Sequence, residues 1–202
     1  EPAEVEAIND ADPEIGKAYR IIQKLTPQKL EALRGMAWVG DERTFKKLID
    51  ASPRGELEQL HRFLYLTHFS YGKMRGRSFS PNVQGIEAKT IARLEQHAPR
   101  LAKVKVYSGD YEPVIRKHDG PDTAFFLDPP YPGYNVDVGE SKFDEERFFE
   151  VLKSIKGKWL MTYGIRGKLP ALLKDAGYPI KRIRTPRTIG ARRANVRGAH
   201  DG

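Results

Sequence analysis

The chain contains no cysteine. That excludes a disulfide scaffold and any metal site built on thiolates. Its five histidines (His61, His68, His97, His118 and His200) fall at no recognisable ligand spacing, so no catalytic metal is expected. No apolar run reaches the roughly 18 residues needed to cross a bilayer, and the opening residues lack the pattern of a secretory leader. An intracellular protein without a membrane partner is therefore expected.

What the chain does have is charge. Thirty-five Lys and Arg against 27 Asp and Glu give a formal net charge of +8 over 202 residues. The excess favours a polyanionic partner, nucleic acid before an anionic membrane surface, although a basic enzyme can show the same balance. The apolar share of 39% supports one sizeable core with room for an inserted subdomain.

Glu4 to Ile8 alternates in the manner of a strand and ends at Asn9-Asp10. Asp12-Pro13 then supplies a helix cap followed by proline at the first helical position. Ile15, Tyr19, Ile22 and Leu25 share one helical face. From Thr26 to about Pro99 the spacing is mainly helical, broken between Gly72 and Gly85 by a basic loop or hairpin. The α/β rhythm returns with a strand at Val104–Tyr107 and a continuous apolar run, Thr123–Leu127, of the kind found in central parallel strands. A helix at about 144–155 follows, then a strand at Lys158–Tyr163, a helix at Lys168–Ala176 closed by Gly177, and a further strand from Ile180. From Lys181 to Arg197 the tail carries seven basic residues and no acid. Strands alternating with helices predict an α/β, doubly wound parallel sheet.

In such sheets ligands sit beyond the carboxyl ends of the strands. Three of the predicted strands end in an acid, namely Asp10, Asp110 and Asp128, and all three would converge on one crevice. Asp128-Pro129-Pro130-Tyr131 carries the most chemistry. At ordinary residue usage this tetrapeptide arises by chance in about one chain in a thousand of this length. The two prolines fix φ and remove two backbone donors, so their carbonyls remain as acceptors. An exocyclic amino group on a base offers two N–H donors, while its lone pair is delocalised into the ring. Acceptors from Asp128 and the Pro129 carbonyl would bind both hydrogens and draw the nitrogen towards tetrahedral geometry. That is catalysis by positioning and electrostatics. Tyr131 would stack on a base flipped from the duplex. A carboxylate at Asp10 could accept from two vicinal hydroxyls; capping of the adjacent helix is the plainer alternative, as it is for Asp110. Lys73, Arg75 and Arg77 could read guanine edges or clamp phosphates, or simply be solvated. The tail arginines, Arg192 and Arg193 among them, suit phosphate contact or a disordered basic end.

In this order, these residues resemble the Dam-like (D12 class) N6-adenine-specific DNA methyltransferases. Ile8-Asn9-Asp10-Ala11-Asp12 resembles the segment whose acid grips the cofactor ribose. Phe63–Gly72 resembles the helix leading into the DNA-reading hairpin. Tyr107-Ser108-Gly109-Asp110-Tyr111 resembles the segment whose Asp contacts the cofactor adenine. Leu127–Tyr131 is similar to the catalytic motif, and Trp159–Gly164 to the strand that shapes the target-base pocket. The resemblance implies a Rossmann-like methyltransferase core at 1–25 and 101–202, with a helical target-recognition insertion at 26–100. It implies S-adenosylmethionine as cofactor, held by Ile8, Asn9, Asp10, Asp110, Tyr111 and Asp128. It implies catalysis by Asp128, Pro129, Pro130 and Tyr131, with no metal, and DNA contacts by Tyr71, Lys73, Arg75, Arg77, Arg192 and Arg193. The expected partner is double-stranded DNA containing adenine. A restriction endonuclease is a candidate counterpart, a monomer is the expected state, and the setting is the cytoplasm of a bacterial, archaeal or phage-encoded system.

Three departures qualify the resemblance. The family's opening strand and glycine-rich cofactor loop have no counterpart here, so a fragment with weak cofactor binding is expected. The family usually continues past the position of Arg197 into a closing strand, which again leads to the expectation of a fragment. Gly72 follows Tyr71 where the family often carries Asn. Two other readings stand beside it. One is an amino methyltransferase acting on RNA or protein, whose tetrapeptide more often begins with Asn. The other is a cofactor-deficient DNA-binding module that keeps the fold.

Overall fold

Several helices begin where a short polar side chain meets an unpaired backbone amide. The computed structural model describes residues 3–71, 75–76, 78–80, 86–132 and 143–184. In it Asp12 accepts from the Glu14 amide and Pro13 opens helix α1 (Pro13–Ile22), as the sequence predicts. Thr26 does the same for α2 (Pro27–Arg34), and Asp41 for α3 (Glu42–Asp50). These carboxylates and hydroxyls satisfy amides that the helix itself leaves unpaired. Helices α4 (Glu56–Phe69) and α5 (Ile86–Leu101) complete the helical run. Among the described residues no helix is long and apolar enough to cross a membrane.

Strand β1 (Ala7–Asp10) precedes these five helices, and β2 (Lys105–Ser108) follows them. The two pair in parallel with Ile8 beside Val106 and Asp10 beside Ser108. Helix α1 lies against this pair. Gly16 permits the approach, because a Cβ there would stand 1.8 Å from the Ser108 hydroxyl oxygen. Gln23, just after α1, donates to the Leu101 and Val104 carbonyls at 2.9 and 2.6 Å, which seats the turn that leads into β2.

Helix α6 (Tyr111–His118) leads to strand β3 (Ala124–Leu127). Helix α7 (Glu145–Ser154), strand β4 (Lys158–Met161) and helix α8 (Leu169–Asp175) follow. Strands β3 and β4 are parallel, with Leu127 beside Met161 at the end of the ladder. Among the described residues the structure is thus mixed α/β with two small parallel sheets, and no ladder between them joins these into the single sheet that the alternation predicts. Two further expectations need correction. The apolar run in β3 is not enclosed like a central strand: Phe126 is 68% exposed, and so is its cross-strand neighbour Leu160 at 66%. One face of the β3–β4 pair packs on α7 and α8, and no other described element covers its opposite face. The strand expected from Ile180 does not form through residue 184, where Ile180 and Ile183 are exposed, because no described strand lies alongside to pair with it.

Two apolar cores result among the described residues. The larger gathers α1 to α5 around Leu33, Leu60, Tyr65, Phe69 and Ile91. Residues Ala18, Ile21 and Ile22 of α1 belong to it, so α1 joins β1 to the helical stretch. Each such aliphatic side chain contributes roughly 1.5–3 kcal/mol on burial. The polar atoms in it are paired: the Tyr65 hydroxyl donates to the Val39 carbonyl at 2.8 Å, and the Trp38 indole to the Leu33 carbonyl at 3.0 Å. The smaller core joins Phe148, Phe149 and Leu152 of α7 to Leu169 and Leu173 of α8.

Asp119, after α6, accepts from the Lys156 and Gly157 amides at 3.0 Å. Those bonds bring β4 close to the turn that precedes β3. A Cβ on Gly157 would stand 2.5 Å from the Thr123 carbonyl oxygen and 2.7 Å from that of Gly120. Both neighbours are backbone and cannot swing aside. Gly157→Ala is expected to cost about 1–3 kcal/mol, read as a lowered denaturant midpoint; an unchanged midpoint would refute the close approach.

Candidate active site

The β3–β4 ladder runs one hydrogen bond beyond its last strand pair. The Thr162 amide donates to the Leu127 carbonyl at 3.0 Å, which sets Thr162 beside Asp128. Its hydroxyl donates to Asp128 Oδ1 at 2.5 Å. The Tyr131 hydroxyl reaches the same oxygen at 2.8 Å. Two hydroxyls therefore fill one carboxylate oxygen. Among the described residues Oδ2 receives no hydrogen bond, nor do the Pro129 and Pro130 carbonyls receive a backbone one.

Tyr131 is itself braced. Its ring meets the edge of Tyr163 at 5.7 Å and 69°, and a Cβ on Gly164 would lie 3.3 Å from the Tyr131 Cβ. The Tyr163 hydroxyl donates to Glu145 at 2.7 Å. Burial and then that carboxylate push the Tyr163 phenol well above its ordinary value. Glu145 also accepts from the Lys168 and Leu169 amides at 2.9 Å, at the start of α8. Burial pushes its carboxyl up, but these donors outweigh it and hold Glu145 below its ordinary value.

Asp10 closes β1, and its Oδ1 accepts from the Asp12 amide at 2.8 Å. Burial raises its carboxyl, against the opposing pull of Arg75. Asn9 donates to the Gly109 carbonyl at 3.1 Å, tying β1 to the turn where Gly109 adopts φ +114°. Asp110 follows as the cap of α6, accepting from the Glu112 amide at 2.8 Å. Arg147 of α7 grips both Asp110 oxygens at 2.7 and 3.0 Å, and also Glu112 at 2.7 and 2.9 Å. Its guanidinium lies 5.2 Å from the centre of the Tyr111 ring. Those hydrogen bonds hold the Asp110 carboxyl below the usual Asp range and push Arg147 up.

A single crevice of about 2430 Å³ brings these parts together. Ile8, Asn9, Asp10, Asp110, Tyr111, Asp128, Pro129, Pro130 and Tyr131 all line it. The Asn9 Oδ1 and the Tyr111 hydroxyl are buried there with no hydrogen-bond partner among the described residues. Buried polar atoms are normally satisfied, which sets these two apart.

The residues expected to meet DNA are placed differently. Tyr71 is exposed at the end of α4, and its amide donates to the Ser78 carbonyl at 2.8 Å. With the antiparallel bridge between Ser70 and Phe79, this forms the base of a hairpin. Arg75 does not reach outwards. It contacts the Asp12 carboxylate and lies 4.5 Å from the centre of the Phe63 ring. Lys73, Arg77, Arg192 and Arg193 lie outside the described residues. Sequence reasoning missed Glu145 and Arg147 as parts of the site, and it placed Thr162 only within the segment Trp159–Gly164, with no role of its own. Arg147, in an acidic helix start, reads as an ordinary solvated charge.

Acids gathered at the carboxyl ends of parallel strands mark the usual ligand crevice of an α/β protein. The chain matches the model of the D12 class N6 adenine-specific DNA methyltransferase family over residues 7–184, and it belongs to that family. No match is found among curated proteins.

Arg147→Ala is expected to move the Asp110 carboxyl titration upwards, towards the ordinary Asp range near 3.9, as followed by carbon NMR. Because the folded value lies below the unfolded one, the stability this pair confers is complete above that range. It is lost as the pH falls through the lowered value. An Asp110 titration that Arg147→Ala leaves unmoved would disprove the clamp.

Proposed function

We propose that this protein transfers a methyl group from S-adenosylmethionine to the N6 amino group of adenine in double-stranded DNA. The observation that carries the reading is Asp128. One of its oxygens is filled by the Thr162 and Tyr131 hydroxyls, at the lip of a crevice that Asp10 and Asp110 also line.

The crevice fits a nucleoside-bearing cofactor. Asp10, at the end of β1, would accept from the two ribose hydroxyls, with Ile8 beside it. Asn9 Oδ1 and the Tyr111 hydroxyl, both lacking partners among the described residues, would meet other polar groups. Asp110 would accept from an adenine amine through Oδ2, which keeps acceptor capacity beside Arg147. When bound, S-adenosylmethionine supplies a methyl group on a sulfonium.

Asp128 Oδ2 and the Pro129 carbonyl would each accept one hydrogen of the target amine. Held so, the nitrogen is drawn out of conjugation with its ring and presents a lone pair. The Thr162 and Tyr131 hydroxyls keep the carboxylate from rotating, so its acceptor is fixed before substrate arrives. Such preorganised acceptors favour the transition state over the planar ground state. Pro130 stiffens the turn that carries Tyr131, whose ring would stack on the flipped base.

Residues of β1 and β3 line the same crevice, and among the described residues each of these strands pairs on one edge. One more parallel strand between them would unite the two pairs in the doubly wound, Rossmann-like sheet. The helical stretch 26–100 would serve as the target-recognition insertion, with 1–25 and 101–202 as the methyltransferase core.

Transfer of labelled methyl groups to duplex DNA, RNA and protein acceptors tests the reading; duplex DNA should be the acceptor. Asp128→Ala should lower kcat by about 10²–10³-fold, and unimpaired transfer by that variant would refute the mechanism. Thr162→Val should lower kcat by roughly 10-fold or more, the worth of a hydrogen bond to a charged group, with the cofactor KM unchanged. Thr162→Ser should keep most of the activity; a serine variant as slow as the valine one would show that the hydroxyl is not what matters.

A further inference from the structure

The junction of β1 and α1 carries three acids within five residues, Asp10, Asp12 and Glu14. Two arginines face them from the helical stretch. Arg62 of α4 donates to Glu14 at 2.7 Å while its other nitrogens donate to the Leu48 and Ile49 carbonyls at 2.7 and 3.0 Å. Arg75 contacts the Asp12 carboxylate, approaches Glu14 at 3.8 Å and covers the face of Phe63. The Arg75 side chain is only 18% exposed. A tight turn points it inwards: Gly76, at φ +78°, donates its amide to the Ser70 hydroxyl at 3.0 Å. Asp10, Asp12, Glu14, Phe63 and Arg75 all line the crevice.

An arginine that clamps phosphates presents its guanidinium to solvent. This one is enclosed by a ring and two carboxylates. Its removal would release the Asp12 carboxylate, and the Asp12 amide is the donor that holds Asp10 Oδ1 at 2.8 Å. It would also take away the positive charge that opposes the effect of burial on Asp10. An Asp10 carboxylate no longer held in direction would be a poorer acceptor for hydroxyl donors.

We propose that Arg75 is a positioning residue for the carboxylates at the end of β1, acting inwards on the ligand crevice instead of outwards on DNA. It holds Asp12 in place and, through the Asp12 amide, the Asp10 carboxylate, so ligand affinity at this end depends on a residue carried by the segment between α4 and α5. By reciprocity, a ligand held by Asp10 stabilises the inward placement of Arg75. The ligand part of this inference rests on the reading of Asp10 as a cofactor residue.

The test compares the full chain with its Arg75→Ala, Arg75→Gln and Arg75→Lys variants. Without ligand, carbon NMR should show the Asp10 carboxyl titration moved upwards in the alanine and glutamine variants and largely kept by lysine. Calorimetry with S-adenosylhomocysteine should show binding weakened by about tenfold or more for alanine and glutamine, and by less for lysine. The slope of log affinity for duplex DNA against log salt should be the same in all four proteins. A slope lower by about one in Arg75→Ala would mark a lost phosphate contact and overturn the proposal. So would an unmoved Asp10 titration, or equal S-adenosylhomocysteine affinity in wild type and Arg75→Ala. Failure of the wild type itself to bind S-adenosylhomocysteine would count against the proposed reaction, while the Asp10 titration would still decide whether Arg75 acts on that carboxylate.

Discussion

The crevice depends on how Arg147 joins two strand pairs that share no ladder. The β1–β2 pair ends in Asp10 and, two residues past β2, in Asp110; the β3–β4 pair is followed by Asp128 and Thr162. Arg147 reaches from α7 to the cap of α6 and holds Asp110 and Glu112 together. Below it Tyr111 meets the edge of Phe148 at 5.0 Å. At the other end of the strands, Asp119 bonds the Lys156 and Gly157 amides. One exposed ion pair contributes little. A bidentate grip on one carboxylate, shared with a second acid and packed on an aromatic ring, is a geometric constraint with more force than its parts. It makes three strand ends face one space.

Inside that space the Asp128 carboxylate has a fixed direction, which two hydroxyls from different positions supply. The support extends outwards: Tyr131 leans on Tyr163, Tyr163 on Glu145, and Glu145 on the amides that begin α8. A helix start thus positions an acid, the acid positions a ring, and the ring backs the residue that touches Asp128. Such a chain stiffens the site because each member is satisfied by the next.

Much of this was legible along the sequence, because local rules act over a few residues. Asp12-Pro13 and Thr26-Pro27 start helices as their chemistry dictates. Phe148, Phe149 and Leu152 face inwards as their spacing requires. Asp10, Asp110 and Asp128 meet because acids at parallel strand ends share one edge of the structure. What was not legible depended on partners distant in the chain. The apolar run of β3 reads as enclosed, yet one face of Phe126 stands open, because burial of a strand depends on what lies beside it. Arg147 is an ordinary charge in sequence and Arg75 reads as a DNA contact; only the fold sets them on acids 37 and 63 residues away.

The helical stretch between β1 and β2 is therefore more than an attachment. Its largest core includes Ala18, Ile21 and Ile22 of α1, and α1 is fixed to β2 through the close approach at Gly16. Phe63, Arg62 and Arg75 form the wall that faces the end of β1. A change in the packing of α4 would reach Asp10 without passing through solvent, because each step is a contact between buried or half-buried groups. Interiors packed to crystal density transmit such shifts instead of absorbing them. The base of the hairpin at Ser70 and Phe79 and the Asp10 end of the crevice are thus built on the larger core. A substitution in α4 should accordingly be judged by what it does to the end of β1 as well as by what it does to the hairpin.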